Sequence, residues 1–105
     1  MPSACILGTG RYLPERVVTN EELASRFTTS DEWIQQRSGI KERRYAASGE
    51  TPASMGAQAS RQALEAAGIK AEELDFLICA TQTPEYLFPG TGCVIQEQIG
   101  ALGIG

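Results

Sequence analysis

The run Leu74–Thr81, LDFLICAT, constrains the fold more than any other stretch of this chain. A continuous apolar run of that length suits a strand covered on both faces, as in a parallel sheet. A well-signalled helix precedes it. Thr51 is a good N-cap and Pro52 a good first helical residue. Met55, Ala59, Gln62 or Ala63, and Ala66 mark its buried face, and Gly68 supplies the stop. So much alanine permits close approach of a neighbour. Ala71-Glu72-Glu73 adds a turn of helix. Helix, short connection and buried strand form the αβ half of a βαβ unit, with Ala4–Gly8 as the candidate partner strand. The class expected is α/β.

Two convincing buried strands are too few for a closed two-sided sheet, and 105 residues make at most one small domain. Hydrophobic residues at 42% and charged residues at 21% describe a globular chain, not a disordered one. A formal charge of −4 and the lack of a basic run argue against a nucleic-acid groove. They also argue against docking of a strongly acidic partner, unless Lys41, Arg43 and Arg44 act together. Those three fall in Ile40–Ala46, an exposed strand or extended loop, where a basic cluster is ordinarily solvated surface.

No apolar run reaches the ~18 residues of a membrane span. No charged segment followed by an apolar one opens the chain, so no signal peptide is expected. Cys5, Cys79 and Cys93 are an odd count without CxxC spacing. Cys5 and Cys79 lie in apolar runs and read as small buried side chains in a reducing compartment, so the expected location is cytoplasmic. The sequence has no histidine. That removes the commonest general base, and with scattered acids it leaves no metal-ligand spacing.

The only tryptophan lies in TSDEWIQQRSGI, Thr29 to Ile40. Ser30 is an N-cap, Asp31 and Glu32 favour the positive end of the helix dipole, and Gly39 is a stop. Trp33 and Arg37, four apart, share one helical face. An indole beside a guanidinium suits a flat anionic ligand, with a base on the ring and a phosphate on the Arg. The plainer reading is a core tryptophan, with Arg37 paired to Glu32 or Asp31. Just upstream, Thr19-Asn20-Glu21-Glu22 forms a capping box, and Leu23 and Phe27 lie on one face of the helix behind it.

The opening Gly8-Thr9-Gly10 invites a dinucleotide reading, but GxGxxG is not completed and Pro14-Glu15 follow. A strand end at a tight turn is the simpler account. Gln82–Gly92 is a Pro/Gly-rich loop holding Tyr86, Leu87 and Phe88, an apolar group of the kind that meets another surface. Val94–Leu102 reads as a last amphipathic helix with Ile95, Ile99 and Leu102 on one side. Cys93, near that helix start, is the best nucleophile the residues alone offer, because a helix N-terminus lowers a thiol pKa. The alternative is a small packed side chain.

Four segments together carry a resemblance: ILGTGRYLPERVVTNEEL, TSDEWIQQRSGIKERR, TPASMGAQASRQALEAAGI and LICATQTPEYLFPGTGCVIQEQIGALGI. In this order the chain resembles β-ketoacyl-acyl-carrier-protein synthase III, the thiolase-fold condensing enzyme that initiates bacterial fatty-acid synthesis. The resemblance implies a partial thiolase-like fold: residues 1–105 as an incomplete N-terminal domain, the βαβ portion of an αβαβα layered domain, with Gly105 falling where the family continues. It implies an acyltransferase reaction. A cysteine takes an acyl group from coenzyme A, malonyl-carrier protein loses CO2, and the carbanion attacks the thioester.

In that family the cysteine works with a His and an Asn from the later half, so the resemblance puts no catalytic residue here. It places Cys93 in the helix before the nucleophile's strand. It implies that Trp33 stacks on the adenine of coenzyme A, that Arg37 meets the nucleotide end, and that Thr29 is a nearby polar contact. Phe88 matches an aromatic that crosses a homodimer interface to bound the partner's acyl pocket, and Pro84-Glu85-Tyr86 is variable there. Implied partners are acyl-CoA, as substrate, and malonyl-acyl-carrier protein, with no cofactor, nucleic acid or membrane. Two other readings stand beside it: a polyketide-starter type of the same fold, and a non-catalytic fragment that binds coenzyme A or a partner. The isolated chain is expected to fold poorly, since LDFLICAT needs cover on both faces.

Overall fold

The computed structural model describes residues 3–105. They form β1 (Arg16–Thr19), α1 (Asn20–Ala24), α2 (Asp31–Ser38), β2 (Glu42–Tyr45), α3 (Pro52–Ala67), a 3₁₀ turn (Ala71–Glu73) and α4 (Thr91–Ile99). The chain divides into two compact units. One is Leu13–Gly49; the other joins the described residues up to Tyr12 with Glu50–Gly105.

In Leu13–Gly49, β1 and β2 pair antiparallel, with Arg16 opposite Tyr45 and Val18 opposite Arg43. Val18 is fully buried on this ladder. Thr19 caps α1 by accepting from the Glu22 N–H at 3.2 Å. The reciprocal half of the expected capping box does not form. Glu22 instead pairs with Arg16 at 2.6 Å and Arg26 at 2.8 Å, because two guanidiniums compete for its carboxylate. α1 ends at Ala24, so Phe27 falls beyond the helix and is exposed. α2 follows its signals. Ser30 Oγ accepts from the Trp33 N–H at 3.1 Å, and Gly39 adopts φ 72°, where a side chain would be strained. Of the basic cluster, Lys41 and Arg44 are exposed and Arg43 is half-buried; Arg43 donates to Val18 O and Arg44 to Pro14 O.

In the other unit, α3 starts as its residues dictate. Thr51 accepts from the Ser54 N–H at 3.1 Å, Ser54 Oγ accepts from the Thr51 N–H at 2.8 Å, and Pro52 occupies the first turn. Its buried positions are Ala53 and Ala57, not Met55 and Ala66. The expected face held at Ala59 and Ala63 and missed Ala53 and Ala57, because two different neighbours share the helix. Ile95 of α4 packs over Gly56, and the extended segment 8–10 lies along Ala59, Ala63 and Ala67. A Cβ on Gly8 would come within 2.5 Å of Ala63 O, and one on Gly10 would collide with Ala59 O. The GTG glycines therefore serve close packing on the alanine side of α3.

Two expectations are corrected. Neither Ala4–Gly8 nor Leu74–Thr81 forms a ladder strand; among the described residues the sheet is the β1–β2 pair. Both runs are extended, but a strand needs a neighbour to complete its hydrogen bonds. The 74–81 run has a single parallel rung: Leu77 N–H to Gly105 O at 3.0 Å, and Gly105 N–H to Asp75 O at 3.3 Å. Ile6, Phe76 and Ile78 are accordingly exposed, and the three cysteines are exposed or half-buried, not core. α4 begins three residues earlier than expected and ends at Gly100. Ile95 is buried and Leu102 is exposed.

Candidate functional site

The Leu13–Gly49 unit carries the site. The turn that ends at Ser30 and the first turn of α2 enclose a cleft of about 400 Å³ lined by Thr28, Thr29, Ser30 and Trp33. Trp33 is 55% exposed, which excludes the core-tryptophan reading within this chain. Four residues on, Arg37 places its guanidinium carbon 5.6 Å from the centre of the indole ring. Among the described residues it makes no ion pair with Asp31 or Glu32. Thr29 Oγ1 is buried without a hydrogen-bond partner at the cleft wall. An unpartnered buried hydroxyl costs roughly 1–3 kcal/mol. Trp33 and Thr29 thus line one cleft, and Arg37 is brought near it only through its place over the indole. Thr28 adds a hydroxyl that sequence reasoning missed.

The helix bearing Trp33 is held by polar contacts that sequence reasoning also missed. Asp31 Oδ1 accepts from Asn20 Nδ2 at 2.7 Å, and its carboxylate also accepts from Gln35 Nε2 at 2.7 and 2.8 Å. These bonds, the Asn20 one first, hold the Asp31 carboxyl below its ordinary pKa, aided by the charge of Lys41 and opposed by partial burial. The Asn20–Asp31 spacing has no helical or strand period, so nothing local signals it.

The other unit holds a second cleft of about 400 Å³, lined by Leu77, Cys79, Tyr86, Leu87, Thr91 and Cys93 among others. Cys93 is exposed, so the packed-side-chain reading fails within this chain. Among the described residues that line this cleft there is no Asp, Glu, Lys or Arg beside Cys93. Phe88 is 91% and Leu87 98% exposed. The loop is anchored by Glu85, whose Oε1 accepts from the Ala53 N–H at 2.8 Å in the first turn of α3. Among the described residues, no group of three or more His, Cys, Asp or Glu side chains is placed to hold a metal ion.

No family model matches the chain. Individual proteins do. It is 50% identical over 104 residues to β-ketoacyl-[acyl-carrier-protein] synthase III of Laribacter hongkongensis, covering 99% of this chain and 33% of that protein. The crystal structure of 3-oxoacyl-[acyl-carrier-protein] synthase III from Aquifex aeolicus VF5 superposes with a TM-score of 0.87 at 50% identity, over 94% of this chain and 32% of that one. Over nearly its whole length this stretch is similar, in sequence and in fold, to the corresponding third of β-ketoacyl-[acyl-carrier-protein] synthase III proteins. The chain spans about a third of the length of the synthase III relatives it matches. A priming β-ketosynthase from the R1128 polyketide pathway has the same TM-score, 0.87, at 39% identity, covering 95% of this chain and 30% of that one. The fold is therefore a part of the thiolase-type α/β fold of synthase III. In this chain, the α/β character is carried by α3 and α4 beside extended runs that lack ladder neighbours among the described residues.

Proposed function

We propose that this chain supplies the coenzyme A end of the substrate site of a β-ketoacyl-acyl-carrier-protein synthase III. The parent reaction would be condensation of an acyl-CoA primer with malonyl-acyl-carrier protein, with loss of CO2, at the start of fatty-acid synthesis. The observation that carries this is the half-exposed Trp33 with Arg37 over its ring, beside the buried, unpartnered Thr29 hydroxyl. The indole offers its free face to adenine, the guanidinium offers charge to a phosphate, and Thr29 offers a hydroxyl. The condensing cysteine, histidine and asparagine lie in other parts of the parent. This chain has no histidine, and Cys93 is not assigned as the nucleophile.

Phe88 and Leu87, almost fully exposed, are read as a homodimer contact, with Phe88 bounding the partner's acyl pocket. The reading takes acyl-CoA as a substrate and needs no bound cofactor. The proposed location is the cytoplasm; among the described residues no helix is long and apolar enough to cross a membrane. A polyketide-starter enzyme is the second reading, favoured by the 39% identity to the R1128 priming ketosynthase.

Trp33 is the only tryptophan, so its emission reports the test directly. Coenzyme A titrated into the chain should quench it, whereas pantetheine, which lacks the nucleotide, should not. Emission unchanged up to millimolar coenzyme A would overturn the proposal.

A further inference from the structure

The geometry points to Asn20 as the positioning residue of the coenzyme A face: its carboxamide sets the placement of the helix that carries Trp33 and Arg37. This rests on the coenzyme A reading above. α2 contains no buried residue, so core packing does not hold it in place. Polar contacts around Asn20 do. Asn20 is fully buried, and its side chain is satisfied on both sides. Its Nδ2 donates to Asp31 Oδ1 at 2.7 Å and to Ile40 O at 2.8 Å. Its Oδ1 accepts from Arg43 Nη2 at 2.8 Å, and its backbone N–H donates to Lys41 O at 3.3 Å.

Asp31 is the first residue of α2, and Ile40 lies just beyond Gly39, where the left-handed turn ends the helix. One amide therefore grips the chain on both sides of the eight-residue helix. Arg43 continues the link to the carbonyl of the fully buried Val18, so the grip is tied to the one apolar anchor of the β1–β2 ladder. On the helix side, Gln35 bonds the same Asp31 carboxylate one turn on, midway between Trp33 and Arg37 in sequence. A ligand that stacks on an indole needs that ring at a set place and tilt. Here the helix has no fully buried residue, and hydrogen bonds supply the fixed contacts at both of its ends.

The test uses the polarity of the Asn20–Asp31 bond. Asn20→Asp sets a second carboxylate against Asp31. It should weaken coenzyme A binding, read by Trp33 quenching, by about tenfold or more, since it loses the bond to the charged Asp31 carboxylate together with the bond to Ile40 O. The double variant Asn20→Asp with Asp31→Asn reverses donor and acceptor and should recover binding to within about threefold, the residue of the lost Ile40 bond. The near-ultraviolet circular dichroism of Trp33 should shift in the single variant and return in the double one. Binding by Asn20→Asp equal to wild type, or no recovery in the double variant, would overturn the inference. Where Asn20→Asp fails to fold, Asn20→Ala, free of the like charge, takes its place with the same two readings. If wild type itself ignores coenzyme A, the coenzyme A reading falls. The Trp33 dichroism then decides the positioning role alone, and an unshifted band would refute it.

Discussion

The Arg37 guanidinium carbon lies 5.6 Å from the centre of the Trp33 ring. One face of the indole is thereby occupied by a cation, so an incoming base takes the other face or displaces the guanidinium. In a full-length parent, Trp33→Ala should raise the KM for acyl-CoA by about tenfold, since stacking of a base on an aromatic ring is worth roughly 1–3 kcal/mol. The turnover number should stay within about twofold, because binding remote from the reacting atoms is mostly uniform. Steady-state kinetics separates the two, and an unchanged KM refutes the stacking role. Arg37→Lys should also raise KM, because an ammonium lacks the planar face that lies on the indole.

Asp31 makes the Leu13–Gly49 unit sensitive to acid. Its carboxyl is held below its ordinary pKa by the Asn20 bond first, then Gln35 and the charge of Lys41. A depressed folded pKa gives stability that is present above the unfolded value and lost as pH falls through the folded one. The wild-type thermal midpoint should therefore fall from ~pH 5 downward. Asp31→Asn should be less stable at neutral pH and flatter in that window. Thermal unfolding followed by circular dichroism across that range checks it, and parallel curves for the two proteins would refute it.

Gly10 is irreplaceable by any residue with a side chain. A Cβ there meets Ala59 O, Ala63 N at 2.6 Å and Gln62 Cβ at 2.9 Å, two of them backbone atoms that cannot step aside. Gly10→Ala should cost about 1–3 kcal/mol, the range of overpacking in a close-packed contact. Gly90→Ala is the comparison: a Cβ there meets nothing within 4 Å and φ is −63°, so only the N-cap preference for glycine over alanine at the start of α4 is lost. Urea unfolding of the pair should show the larger loss for the first.

Glu85 ties the apolar loop to α3 through the Ala53 N–H. Glu85→Ala leaves that first-turn donor unmet and should cost about 0.5–2 kcal/mol, as loss of a helix cap does. Glu85→Gln keeps an acceptor oxygen and should lose less. Equal midpoints for the two variants would show that the charge at the helix end, and not the hydrogen bond, is what counts.

Helix signals were legible because they are local. Ser30 and Gly39 bound α2, and Thr51, Pro52 and Gly68 bound α3, as those residue types require. The shared face of Trp33 and Arg37 was legible for the same reason, since four residues make about one turn. Strand formation in Leu74–Thr81 was not. Its composition suits a covered strand, but a ladder needs a partner, and here it finds one rung at Gly105. The Thr19 capping box was half realised, because Arg16 and Arg26 outbid the backbone N–H for Glu22.

By itself, the sequence determined where α2 and α3 begin and end, which side chains share a helical face, and which family this stretch resembles. Each of these depends on neighbours a few positions apart or on residue identity alone. Only the tertiary structure decided that Trp33 lies open beside a cleft, that Asn20 grips both sides of α2, and that Gly8 and Gly10 press on the alanines of α3. The last two of those facts join residues 11 to 59 positions apart in the chain. Burial and hydrogen-bond partnership depend on which distant groups arrive at the same place, and no local pattern encodes that meeting.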